Sequence, residues 1–447
     1  MSKLLVTIVL VCLANAAFAV PPALTAEQKL GQRLFRDKNL SLNRNQSCSS
    51  CHRLRPARGK GGIPGFVDSR NVRNGSAVSI GSEPNAFGRL NAPSVAYAAY
   101  SPAFHTSEKL GIYFGGLFWN GRSSRLKAQA KQPFLNPTEM AMPSRWAVVM
   151  RLKGDRFYRN TFRRLFDIDL AQVFDAKDTD RSRVAAQVFE VYELMAWAIG
   201  EFEKSYVFNK FNSKYDYFLA GMAELTSVES KGLVLFNGKG NCAGCHISQM
   251  EHLKNNGRVQ CQRCHEGAAG GRNSEQDIII PPLFTDFTYH NIGLPRNENI
   301  PGNPEPDLGL GGRLDIKALD MKGEQVGKHK VMSLRNVALT PPYGHNGVLK
   351  TLKQVVHFYN TRDTLGWIPS NKNPGFGVMG WPEPEIAKNV NLFQVGSLGL
   401  TDQEEDAIVA FLETLTDDYP VWGNDPRVPP GTEPPFGANF LSSVERR

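Results

Sequence analysis

Residues 242–246 read Cys242-Ala243-Gly244-Cys245-His246, and a second stretch of the same form, Cys261-Gln262-Arg263-Cys264-His265, follows closely. A third, Cys48-Ser49-Ser50-Cys51-His52, lies near the start of the chain. C-x-x-C-H is the attachment signature of c-type haem: two thiols form thioethers to the porphyrin, and the following imidazole ligates iron. The two sulfurs fall on one short turn, which leaves the histidine under the ring. The cofactor expectation is therefore haem c at Cys48, Cys51 and His52, at Cys242, Cys245 and His246, and at Cys261, Cys264 and His265.

Cysteine arithmetic supports this expectation. Of the 7 cysteines, only Cys12 lies outside the three motifs. A disulfide framework would suit an exported chain, but it does not require a histidine after every second cysteine. Zinc would need four ligands per site drawn from these pairs.

Cys12 sits in a leader-like segment. Lys3 supplies a positive n-region, Leu4 to Leu13 are almost wholly apolar, and Ala17-Phe18-Ala19 fits a small-x-small cleavage site. The apolar run is too short to span a bilayer. The expectation is cleavage after Ala19, a periplasmic location and no membrane span. The formal charge is +9, of which Lys3 would leave with the leader. In an exported haem protein this balance suggests docking to an acidic protein rather than to nucleic acid; solubility alone is the plainer reading.

The two halves of the chain echo each other. Leu24-Thr25-x-x-Gln28 leads to Gly31-x-x-Leu34-Phe35, and Leu225-Thr226-x-x-Glu229 leads to Gly232-x-x-Leu235-Phe236. Each is a capping box opening an amphipathic helix that runs toward a C-x-x-C-H. The fold expected is mainly α, with two tandem cytochrome c-like domains and long loops around covalently bound haems. The expected boundaries are 20–215 and 216–420, with an insertion at about 247–280 that carries the third motif. A Pro/Gly-rich extended tail covers 421–447. Residues 144–204 read as mainly helical, and Leu400-Thr401-x-x-Glu404 opens another capped helix.

Between the haem motifs the chain resembles the bacterial di-haem cytochrome c peroxidase and MauG superfamily across residues 22–420. The resemblance rests on Phe118-Trp119-Asn120-Gly121-Arg122, Gln129 with Pro133, Asn136-Pro137-Thr138-Glu139-Met140, Phe284-Thr285-Asp286, Asn291-Ile292-Gly293 and the run Ser333 to Tyr343. It implies that the His52 haem is the peroxide site, with Gln129, Pro133 and Glu139 in its distal pocket. A carboxylate there can take a proton from peroxide and return it to the leaving oxygen. It also implies that Trp119 relays charge between the haems, and that Asn91, Thr340 and Pro342 bind calcium, a hard cation suited to oxygen donors.

Two positions depart from the peroxidase pattern. Where those proteins carry a histidine that blocks the peroxide iron, this chain has Ala96, and His105 reads as a surface residue. Fourteen residues after His345 the peroxidases carry methionine, whereas this chain has Tyr359, as MauG-like members do. A phenolate favours high oxidation states of iron, and thioether sulfur favours the reduced state. His357 competes for that role but lies on another helix face. For the third haem, His252, His290, His329 and Met250 all remain candidate sixth ligands.

The resemblance therefore implies an oxidoreductase that uses hydrogen peroxide to oxidise a residue of a partner protein. Two rivals stand beside it. One is a cytochrome c peroxidase fed by a small cytochrome or cupredoxin. The other is an electron-transfer cytochrome without enzymatic activity, which would leave Gln129 and Glu139 without a role.

Overall fold

The computed structural model describes residues 22–54, 66–68, 76–107, 110–173, 181–248, 281–302 and 304–436. The leader segment, Met250, His252 and the third motif at Cys261, Cys264 and His265 lie outside the described residues. The chain is mainly helical with small sheets. The longer helices are α1 (Ala26–Arg36), α2 (Arg145–Gly154), α3 (Arg156–Phe166), α4 (Arg181–Glu203), α5 (Ser227–Asn237), α6 (Leu352–Thr361) and α7 (Asp402–Glu413). Beside these and several shorter helices stand two antiparallel ribbons: β1 (His105–Ser107) with β2 (Ile112–Phe114), and β3 (Tyr289–His290) with β4 (His329–Lys330).

Helices α1, α5 and α7 begin as their sequences dictate. Thr25 Oγ1 accepts from the Gln28 backbone N–H at 3.2 Å, and Gln28 Oε1 accepts from the Thr25 N–H at 3.1 Å. Thr226 with Glu229 and Thr401 with Glu404 close the same reciprocal box. Each cap satisfies orphan N–H groups and contributes about 0.5–2 kcal/mol.

What each entry helix packs against also repeats. A Cβ placed on Gly31 would lie 1.9 Å from the carbonyl oxygen of Ala198 and 2.8 Å from Cβ of Phe202, both on α4. One placed on Gly232 would lie 1.9 Å from the carbonyl oxygen of Ala407 and 2.8 Å from Cβ of Phe411, both on α7. Glycine is thus the residue that lets α1 cross α4, and α5 cross α7, at backbone contact. The following aromatics complete both crossings: Phe35 meets Phe202 edge-on at 5.7 Å, and Phe236 meets Phe411 at 5.2 Å. One apolar core forms around α1 to α4, and a second around α5 and α7, including the buried Ile408, Phe411 and Leu412.

A polar seam joins the two cores. Arg335 Nη1 donates to Asp216 Oδ2 at 2.6 Å with both side chains fully buried. Tyr97 donates its hydroxyl to Asp417 Oδ1 at 2.8 Å, and Asn336 Nδ2 donates to Asp417 Oδ2 at 2.8 Å. The segment after residue 420 is not wholly extended. A short helix, Tyr419–Trp422, leads into it, and Val428 is buried among Tyr217, Ala223 and Tyr419. Its apolar side chain finds cover that its Pro/Gly-rich surroundings do not advertise.

Candidate haem sites

The first motif forms a single helical turn, Cys48–Cys51, whose end is closed by the His52 N–H donating to the Cys48 carbonyl at 2.8 Å. At the second motif the His246 N–H donates to the Cys242 carbonyl at 2.9 Å. In each case the imidazole is then oriented by a carbonyl. His52 Nδ1 lies 3.3 Å from the Phe66 oxygen, and His246 Nδ1 lies 2.8 Å from the Phe284 oxygen. A carbonyl only accepts, so Nδ1 carries the proton and Nε2 is left as the ligating nitrogen. Both carbonyls are aimed by an unusual backbone: Phe66 and Phe284 have φ of 61° and 54°. A bulky residue in that region is strained and needs surrounding structure to hold it. The sequence repeats there too, as Phe66-Val67-Asp68 and Phe284-Thr285-Asp286. Only the second of these was singled out from sequence.

A cavity of about 640 Å³ opens at the first motif, lined by Cys48, Cys51 and His52. Gln129, Pro133, Glu139, Trp119 and Ala96 stand on its walls, so residues far apart in sequence converge on one space. The thiols, the oriented imidazole and the room beside them fit a covalently held haem. At the second motif, burial pushes the Cys242 and Cys245 thiols up to about 12, so neither is a free thiolate.

Glu139 is held by its own loop. Asn136 Nδ2 donates to Glu139 Oε1 at 2.6 Å, while Asn136 Oδ1 accepts from the Thr138 N–H at 3.0 Å. Burial raises the Glu139 carboxyl, and the Arg122 charge and the Asn136 hydrogen bond oppose this. Arg122 also borders the cavity, stacked with its guanidinium carbon 3.4 Å from the Phe118 ring centre. Its place in Phe118-Trp119-Asn120-Gly121-Arg122 was legible, but its position beside Glu139 was not. Glu203 was missed altogether. It sits at the end of α4, 5% exposed, on the cavity wall, with Oε2 lacking a hydrogen-bond partner among the described residues.

Trp119 donates its indole N–H to the Asn91 carbonyl at 2.8 Å. The Asn91 side chain in turn reaches the Pro342 carbonyl at 2.6 Å. Two of the three candidate calcium ligands therefore meet, through an amide N–H donated to a carbonyl. The Thr340 hydroxyl instead donates to the Val337 carbonyl at 3.1 Å.

Tyr359 lies on α6 beside the second motif. Burial first, then the Cys245 and Cys242 sulfurs, hold its phenol above the ordinary range. His357 is turned away, with Nδ1 2.9 Å from Glu405 Oε1 on α7, as the helical step of two residues requires. His105 differs from expectation: it is half-buried rather than at the surface, stacked on Phe114 with Nδ1 2.8 Å from the Ala103 carbonyl. Neither described candidate for a third-haem ligand is idle. His329 has both ring nitrogens engaged, and His290 Nε2 lies 3.1 Å from Thr288 Oγ1.

Comparison with known proteins places the chain in a family. Residues 25–224 match the family described as di-haem cytochrome c peroxidase. The chain is 40% identical to methylamine utilization protein MauG of Paracoccus denitrificans, over 91% of this chain and 95% of that protein. It is 28% identical to cytochrome c551 peroxidase of Nitrosomonas europaea, over 90% of this chain and 83% of that one. The diheme peroxidase BthA of Burkholderia thailandensis superposes with a TM-score of 0.67 at 29% identity, covering 93% of this chain and 91% of that chain. The chain belongs to the di-haem cytochrome c peroxidase and MauG family, and it is a haem peroxidase-type oxidoreductase whose family implies two c-type haems.

Proposed function

We propose that this protein is an exported, periplasmic MauG-like enzyme that uses hydrogen peroxide at the His52 site to oxidise a residue of a partner protein. The two glycine-crossed helix pairs are read as tandem cytochrome c-like domains, each presenting one histidine to one haem. When bound, the haems supply the redox chemistry, passing two oxidising equivalents from peroxide to the partner.

The chain's residues would do the rest. His52 and His246 hold iron through Nε2. Glu139 takes a proton from peroxide and returns it to the departing oxygen, a task for which its raised carboxyl is suited. Gln129 and Pro133 shape the space beside it. Ala96 offers no side-chain donor atom to compete with peroxide. Trp119 carries charge between the two sites, and Asn91, Thr340 and Pro342 hold calcium at the junction. A partner oxidised over distance needs no deep organic pocket.

The observation that supports the MauG-like reading is Tyr359, a buried phenol within electrostatic reach of the second motif's sulfurs, in the position where a peroxidase would carry methionine. Such a ligand suits storage of oxidising equivalents rather than uptake of electrons. The test is to mix fully oxidised holoprotein with one equivalent of hydrogen peroxide in a stopped-flow spectrometer, without prior reduction. Immediate reaction supports the reading. A reaction that waits for one haem to be reduced, and then turns over with a small cytochrome or cupredoxin, supports a peroxidase. The third C-x-x-C-H motif favours that second reading, because an additional haem would serve as an entry port for electrons.

A further inference from the structure

Tyr97 stands on the wall of the His52 cavity, and its phenol reaches across to Asp417 beside the second core. The hydroxyl donates to Asp417 Oδ1 at 2.8 Å, with Oδ2 at 3.0 Å, and accepts from the Phe211 N–H at 2.8 Å. Tyr97 and Asp417 are each 2% exposed, so the pair is shut off from bulk water. The backbone at Tyr97 is left-handed, with φ of 59°. A bulky residue keeps that conformation only where its surroundings hold it. Here the Tyr97 N–H donates to the Phe208 carbonyl at 3.2 Å, and the Phe211 ring packs edge-on at 4.8 Å.

The charges around this pair decide how the phenol can react. Arg335 places its guanidinium carbon 5.4 Å from the Tyr97 ring centre, and a cation there opposes positive charge on the ring. Burial, and next the Asp417 charge, hold the phenol well above its ordinary range, so it does not ionise by itself. Loss of an electron from the ring is therefore coupled to loss of the hydroxyl proton.

Asp417 is the acceptor already in place. Burial pushes its carboxyl up to about 6, against the Asn336 hydrogen bond and the Lys210 and Arg335 charges, and Asp216 adds to the rise. It is ionised at neutral pH, yet a stronger base than an exposed carboxylate. Tyr158 also donates to a carboxylate, Asp37 Oδ2 at 2.7 Å, but neither of those residues lines the cavity.

We propose that Tyr97 is a redox-active residue at which one oxidising equivalent rests as a neutral tyrosyl radical. In this step the phenol O–H breaks. Its proton passes to Asp417, forming a carboxylic acid, and its electron passes to the oxidised haem at His52. Peroxide is the oxidant, taking up two electrons and two protons and leaving as two waters. Tyr97 supplies one of those electrons, and the haems supply the other. The Phe211 N–H remains directed at the phenoxyl oxygen. The proposal rests on the reading of His52 as the peroxide site.

The test mixes fully oxidised holoprotein with one equivalent of hydrogen peroxide, recording haem optical spectra and freezing samples for EPR. The expected result is a free-radical signal whose hyperfine lines collapse when the protein carries ring-deuterated tyrosine. Tyr97→Phe loses that signal. Tyr100→Phe, altering the neighbouring ring at 6.4 Å, keeps it. Asp417→Asn offers an amide oxygen to the same hydroxyl but cannot take its proton. The signal is lost there too, and this variant serves if Tyr97→Phe does not fold. The haem spectrum shows that each variant is folded and loaded. A signal unchanged in either variant overturns the proposal, as does one that ring deuteration leaves unaltered. Haems that respond to peroxide without any radical overturn the proposal and leave the peroxide reading standing. Haems that do not respond overturn both.

Discussion

The indole of Trp119 meets the imidazole of His345 edge-on, with ring centres 6.5 Å apart and planes at 73°. The same indole donates to the Asn91 carbonyl at 2.8 Å, so one ring ties the first cavity to the junction of the two cores. Trp119→Phe keeps a ring and loses the donor. It should cost about 1 kcal/mol of stability, a typical net hydrogen bond. It should also delay the optical response of the second haem after peroxide, measured by stopped-flow at two wavelengths.

Glu139 stands on the cavity wall and is held by its own loop, through Asn136 at 2.6 Å. Glu139→Gln preserves shape and removes the proton carrier. The rate of reaction with peroxide should fall about 10²–10⁴-fold, the usual contribution of general acid–base catalysis. The melting temperature should stay close to wild type, because Asn136 can still bond to an amide.

The glycine crossings lead to a stability prediction. Gly31→Ala and Gly232→Ala each place a methyl 1.9 Å from a backbone carbonyl, which cannot move without shifting a helix. Overpacking of this kind costs about 1–3 kcal/mol or more. Gly154→Ala is the control, since a Cβ there meets nothing within 4 Å. Thermal unfolding of the three variants should separate the two crossings from the control.

Glu203 controls a different response. Burial raises its carboxyl from 4.5 to about 8. A group raised on folding contributes stability that is fully present below its unfolded value and is lost as pH rises through its folded value. Stability should therefore decline between about pH 4.5 and 8, and Glu203→Gln should flatten that decline. Chemical unfolding at several pH values measures both.

Sequence legibility tracked locality. The caps at Thr25, Thr226 and Thr401 were readable because two residues three positions apart make each one. The convergence of Gln129, Pro133 and Glu139 on His52 was readable only through the motifs they sit in. Phe66 was not, because a positive φ is ordinarily signalled by glycine or asparagine, and here phenylalanine is held there by packing. Glu203 reads as a solvated residue near a helix end, and only the tertiary fold buries it. His329 reads as an available ligand in sequence, whereas in the fold it is stacked on His345, sixteen residues away. Tertiary contacts of that kind leave no periodic trace in the chain.

Tyr359 is proposed to make the second site a store of oxidising equivalents. The most direct measurement is an optical and EPR titration of fully oxidised protein with stoichiometric hydrogen peroxide, comparing wild type with Tyr359→Met. The expected result is a long-lived oxidised species in the wild type that the variant fails to keep. Wild-type protein that reacts only after one haem is reduced, and behaves no differently from Tyr359→Met, would contradict it.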